Sequence, residues 1–224
     1  MTTGEQTDLS SAPATARWGP WLAGFAVAVI IGHHVGTIFG PFGKLGYGTE
    51  WQDWIDLITP YAVLGCALAA LLAAGATRLT WILAAAGGIA YVQGHGIHLA
   101  ANSVSNALGK EQPIYLWDEV VGHYLWYGGL FVLVAALVLA LVHRPLTSAW
   151  RWPLAVLFGL TSATNGIEGQ TALFSLVVAI GFAAWGWRRR SGVLLASYGV
   201  TALLIAGWGI YWQGFPEFSE LGWI

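Results

Sequence analysis

The sequence predicts an all-α, polytopic integral membrane protein of seven transmembrane helices, with the N-terminus cytoplasmic and the C-terminus extracytoplasmic. Three observations predict it. Of 224 residues, 57% are hydrophobic and 9% charged, whereas soluble domains carry about 25% charged residues. Apolar runs of about 20 residues follow one another after Arg17 and leave no room for a separate soluble domain. The basic residues also gather in alternate connecting segments, the pattern that sets membrane orientation.

Residues 1–16, MTTGEQTDLSSAPATA, are small and polar and lack the basic start of a secretory signal. They are expected to form a disordered tail, with 17–224 as one membrane domain. Hydropathy and punctuation place the spans at Trp18–Phe39, Thr59–Ala76, Leu79–Ser105, Tyr115–Val142, Pro153–Asn165, Thr171–Trp187 and Gly192–Trp212. Thr59-Pro60 sets a capping hydroxyl before a first-turn proline, and Pro20, Pro113 and Pro153 stand near other starts. Tryptophans such as Trp18, Trp150, Trp187 and Trp212 fall at span ends, where indole rings favour the interface.

With a cytoplasmic N-terminus, seven of the nine basic residues lie inside: Arg17, Arg78, Arg144, Arg151, Arg188, Arg189 and Arg190. Lys44 and Lys110 remain outside, as do the acidic residues Glu50, Asp53, Asp56, Glu111, Glu217 and Glu220. The expected location is a bacterial-type plasma membrane. The single cysteine, Cys66, excludes an internal disulfide, and no nucleic-acid partner is expected.

This orientation brings the ionisable residues of three helices to one layer in the outer half of the bilayer. Tyr91, His95, His98 and Asn102 recur at i, i+4, i+7 and i+11, one face of a helix, and Glu119 and His123 lie at i, i+4 on another. His33 and His34 are about 100° apart on the first helix, so one of them faces the layer; His34 is preferred. The short fifth and sixth spans flank TSATNGIEGQ, residues 161–170, expected as a polar break that dips into the membrane and carries Glu168 toward the histidines. Ionisable groups in lipid normally face partners or water, so the layer reads as a functional site.

Imidazoles with carboxylates suit zinc or a similar divalent ion that activates water. His34, His95, His98, His123 and His33 form the candidate ligand pool, with Asp118, Glu119 and Glu168 as candidate catalytic carboxylates. Tyr91, Asn102, Ser103 and Asn165 are expected to touch substrate or support the ligands. The favoured function is a metal-dependent hydrolase of lipid or other apolar substrates. The same donors fit iron, copper or haem in an oxidoreductase, and proton- or ion-coupled transport or a non-catalytic membrane subunit stay open as further classes.

Seven spans with intramembrane histidines resemble the ceramidase and adiponectin-receptor superfamily, and the resemblance implies a zinc-dependent membrane hydrolase. That family's HxxxH pair is absent, since His95 and His98 form HxxH. His98-x3-Asn102 is similar to the HxxxN of rhomboid proteases, but their GxSG nucleophile motif is missing. No family is assigned from these likenesses.

Overall fold

The computed structural model describes residues 15–39, 42–109 and 111–223, and it is built almost entirely of helices. Along the chain come α1 (Thr15–Gly32), α2 (Val35–Phe39), a hairpin of β1 (Lys44–Gly46) and β2 (Thr49–Glu50), α3 (Trp51–Asp56), α4 (Thr59–Ala74) and α5 (Arg78–Leu108). They are followed by α6 (Gln112–Tyr115), a π-helical segment (Leu116–Gly122), α7 (His123–Leu141), α8 (Arg151–Glu168), α9 (Ala172–Arg189) and α10 (Gly192–Trp212). Three stretches, Trp51–Ala74, Gln112–Leu141 and Gly192–Trp212, are long and apolar enough to cross a membrane. The chain therefore has the make-up of a membrane protein.

Local chemistry explains several boundaries. Thr77 caps α5, its hydroxyl accepting the Thr80 N–H at 3.4 Å. Pro60 occupies the first turn of α4, and Gly75 ends that helix at φ +63°, a left-handed conformation that glycine adopts without strain.

Four boundaries differ from the sequence expectation. The first span is broken: α1 stops at Gly32, His33 and His34 form a turn, and α2 is a separate short helix. Gly32 abuts the start of α4, where an added Cβ would stand 2.2 Å from the Thr59 methyl, and His34 Nδ1 donates to the Ile30 carbonyl at 2.7 Å. The expected polar break at 161–170 is helical as far as Glu168. Its polar side chains turn back on their own helix: the Thr164 hydroxyl donates to the Leu160 and Thr161 carbonyls, and Asn165 Nδ2 donates to Thr161. The fourth span starts with a π-helical turn rather than an α-helical one. Finally, α1 already begins at Thr15, so Thr15 and Ala16 are helical; the rest of the expected tail, residues 1–14, lies outside the described residues, as do Gly40 and Lys110.

Between helices in lipid there is little hydrophobic driving force, so association depends on close packing, often through small residues. Here α5 and α7 meet through glycines. A Cβ on Gly94 would stand 2.2 Å from the Trp126 nitrogen, and one on Gly129 would stand 2.2 Å from the Tyr91 nitrogen. Gly87 and Gly94 on α5, and Gly122 at the end of the π-helical segment with Gly129 on α7, repeat at seven residues and keep the two backbones in contact. Gly96, by contrast, has no neighbour within 4 Å. The core is apolar around Val63, Leu71 and Leu133, all fully buried.

Polar residues separate to the two ends of the molecule. His33, Asp56, His98, Asp118 and His123 meet at one end, where α1 finishes and α7 begins. At the other, Arg144 Nη2 donates to the Ala74 carbonyl at 2.6 Å, beside the start of α8 and the junction of α9 and α10.

Candidate functional site

The glycine contact of α5 with α7 fixes where the site forms. Gly122 lies against the backbone of His98, its added Cβ 3.2 Å from the His98 Cα, so α5 passes directly over the π-helical turn. A π turn puts residue i+5, not i+4, near residue i, and such turns recur at functional sites. Here the turn brings two consecutive carboxylates, Asp118 and Glu119, into the protein together. Asp118 Oδ1 accepts from His98 Nδ1 at 2.7 Å, while Glu119 Oε2 lies 3.2 Å from His123 Nδ1.

A third pair comes from a different helix: His95 Nε2 stands 3.1 Å from Asp56 Oδ2 at the end of α3. Trp126 is the hub of the group. Its ring meets His33 and His95 edge-on, with centroids 5.1 and 4.5 Å apart, and lies at 5.1 Å from His98 and 5.9 Å from His123. Tyr127 stacks on Trp126 at 5.1 Å and on His123 at 5.7 Å. The His98 and His123 rings are 4.5 Å apart, and His33 Nε2 lies 3.3 Å from the Tyr91 hydroxyl.

Among the described residues, His95 Nε2, His123 Nδ1, Asp56 Oδ1 and Trp126 Nε1 are buried in this group without a well-aligned hydrogen bond. The His95 and His123 contacts with their carboxylates are thus close but poorly aligned for hydrogen bonding. Buried polar atoms held in poor geometry are under-satisfied, and three such side chains around Trp126, with its own Nε1, make the group receptive to a polar occupant. The side chain of His98 is 22% exposed, against 1% for His95, so the group opens to its surroundings at His98. Below Trp126 the α7 face continues as Leu130, Leu133, Val134 and Leu137, a closed apolar floor.

Of the residues expected at the site, the fold brings together His33, Tyr91, His95, His98, Asp118, Glu119 and His123. Facing the cluster is His33, not His34, whose Nδ1 is committed to its own helix. Glu168 lies at the edge of the group, next to Gly169, which abuts the Tyr127 ring, but its Oε2 accepts the backbone N–H of Phe218 at 2.7 Å and of Ser219 at 3.3 Å. Ser103 donates to the Leu99 carbonyl of its own helix, Asn165 to that of Thr161, and Asn102 is half-buried further along α5. Of the expected ligand pool, His95, His98 and His123 each stand against a carboxylate of their own while His33 and His34 contact Tyr91 and Ile30, and among the described residues no group of three or more His, Cys, Asp or Glu side chains is placed to hold a metal ion.

Sequence reasoning missed Asp56, Trp126 and Tyr127. Asp56 ends the segment WQDWID and is followed directly by an apolar run, so an acid at the mouth of a span was the available signal. Trp126 lies three residues beyond His123, on the same helical face. Comparison with family models, curated proteins and solved structures finds no match to this chain. The site is therefore read from its own chemistry.

Proposed function

We propose that this chain is a membrane-embedded hydrolase of lipid or other apolar substrates, working by acid–base catalysis at the His–carboxylate end. The observation that carries the reading is the His98–Asp118 pair, whose histidine is partly exposed, in a cluster with an apolar floor. Asp118 fixes the His98 ring through Nδ1, which leaves Nε2 to take a proton from water as that water attacks. His123, ring to ring with His98 and beside Glu119, is placed to return a proton to the leaving group. A floor without polar groups beneath Trp126 suits a site entered from one end better than a path through the molecule.

In this reading all seven long helices cross the membrane, with the arginine end cytoplasmic and the histidine end extracytoplasmic, in a bacterial-type plasma membrane. The substrate arrives from the outer leaflet or from outside. The test is turnover of a panel of fluorogenic acyl-lipid analogues by the purified chain. Turnover is expected to fall by about 10²–10⁴ in both His98→Ala and Asp118→Asn. Turnover unchanged in both would overturn the reading. No turnover, together with proton flux into liposomes that Glu119→Gln abolishes, would decide for transport.

A metal-dependent version has one observation in its favour. Metal-bound imidazoles usually donate their second nitrogen to a carboxylate, and His98 already holds that arrangement with Asp118. Stoichiometric zinc in the purified protein, lost in His98→Ala and His123→Ala, would establish it, and a Soret band would point instead to haem and redox chemistry.

A further inference from the structure

At the opposite end of the molecule α1, α7, α8 and α10 enclose a cavity of about 760 Å³. That volume falls within the roughly 300–1,000 Å³ of small-molecule sites. Its walls are apolar, with Phe25, Leu137, Leu141, Phe158 and Leu194 buried along them. Its rim is basic, formed by His143, Arg144, Arg151, Arg189 and Arg190, and among the described residues no carboxylate lines it.

Two further observations give the rim a sign and a direction. Among the described residues no arginine has a carboxylate within ion-pair distance, since all three such contacts are made by histidines at the other end. The N-terminus of α10 also borders the cavity and has no side-chain cap, so the N–H groups of its first turn add positive potential there. Arg144 and Arg151 each spend a donor on a backbone carbonyl, of Ala74 and Leu146, which holds these guanidinium groups in place. A tendency of arginines to lie on the cytoplasmic side accounts for their side of the membrane, but not for their convergence on the mouth of an apolar cavity.

We propose that this cavity binds an anionic phospholipid, its phosphate held by Arg189, Arg190 and the N-terminus of α10 and an acyl chain lying along the Phe25–Phe158 wall. Basic pockets between membrane helices are known to suit such headgroups. The site is separate from the His–carboxylate cluster and does not depend on the hydrolase reading.

The experiment compares thermal unfolding of the full chain in nanodiscs of pure phosphatidylcholine, in the same discs containing phosphatidylglycerol, and in the first discs with inorganic phosphate added. Phosphatidylglycerol is expected to raise the midpoint where phosphatidylcholine alone and inorganic phosphate do not. Arg189→Gln combined with Arg190→Gln is expected to increase at least tenfold the phosphatidylglycerol fraction needed, with the midpoint in phosphatidylcholine unchanged. Ala155→Phe, which fills the buried wall with the arginines intact, is expected to do the same. Arg188→Gln removes an equal charge outside the cavity and is expected to leave the response in place. The proposal is overturned if inorganic phosphate matches the lipid, if Arg188→Gln weakens the response as much as the double substitution, or if the double substitution retains it.

Discussion

His98 on α5 donates Nδ1–H to Asp118 Oδ1 on the π-helical turn before α7, at 2.7 Å, and this bond joins the two helices at the point where the histidine cluster opens. Both groups are largely out of water, so breaking the pair strands one polar group. Asp118→Ala is expected to destabilise the protein by about 3 kcal/mol. Asp118→Asn keeps an acceptor oxygen and is expected to lose less than half as much. Denaturant unfolding of both variants in the same detergent checks this, and equal losses would mean that the position supplies packing rather than a hydrogen bond.

The glycines that let α5 and α7 touch make a second prediction. A methyl at Gly94 or Gly129 meets backbone atoms at 2.2 Å, which no side-chain rotation relieves, so the helices must move apart. Gly94→Ala and Gly129→Ala are each expected to cost at least about 2 kcal/mol, in the range of overpacked cores. They are also expected to displace His98 from Asp118. Gly96→Ala, two residues from Gly94 and facing open space, is expected to stabilise α5 by up to about 1 kcal/mol, the difference in helix propensity. Thermal midpoints of the three variants would separate these cases, and an equal effect at Gly94 and Gly96 would remove the close contact as an explanation.

The helical content and the meeting of α5 with α7 were legible because they rest on periodicity: Tyr91, His95 and His98 lie on one face at helical spacing. The π-helical turn was not, since it depends on packing against α5 and LWDEVVG carries no local sign of it. Nor was the choice of His33 over His34, which is set by the turn after Gly32 and by the Ile30 carbonyl that takes up His34. Polar letters at 161–170 suggested a break in the membrane, yet threonine and asparagine can satisfy themselves on the preceding turn of a helix and leave it intact. Asp56 was hidden because its partner, His95, is far away in sequence and the contact exists only once α3 has folded over α5.

Glu168 provides a test of a residue that chemistry alone would place in the site. Its carboxylate takes two backbone N–H groups of the C-terminal segment, where Phe218 also packs against Trp208 at 4.8 Å. Glu168→Ala is expected to raise amide hydrogen exchange at Phe218 and Ser219 at least tenfold, as hydrogen bonds to charged groups contribute about 1.5–3 kcal/mol. Unfolding of α5 and α7 and turnover are expected to stay as in the wild type. A loss of turnover with the C-terminal segment still docked would return Glu168 to the catalytic set.

The same segment carries a pH dependence whose sign follows from Glu217. Burial is the largest influence on this carboxyl and holds its pKa above the ordinary glutamate value, the negative charges of Glu119, Glu168 and Glu220 add to that, and a hydrogen bond from Gln170 opposes it. A group whose pKa is higher folded than unfolded binds its proton more tightly in the folded state. The stability it contributes is complete below the unfolded value, about 4.3, and is lost as pH rises through the folded one. Docking of residues 214–223 is therefore expected to weaken between mildly acidic and neutral pH. Glu217→Gln, which stays neutral throughout, is expected to abolish that dependence and to match the acid-side behaviour of the wild type at pH 7. Amide exchange of Gly214 and Trp223 across the pH range, corrected for the intrinsic rate, measures it; protection that instead rises toward neutral pH would show that Glu217 is better held as the charged carboxylate.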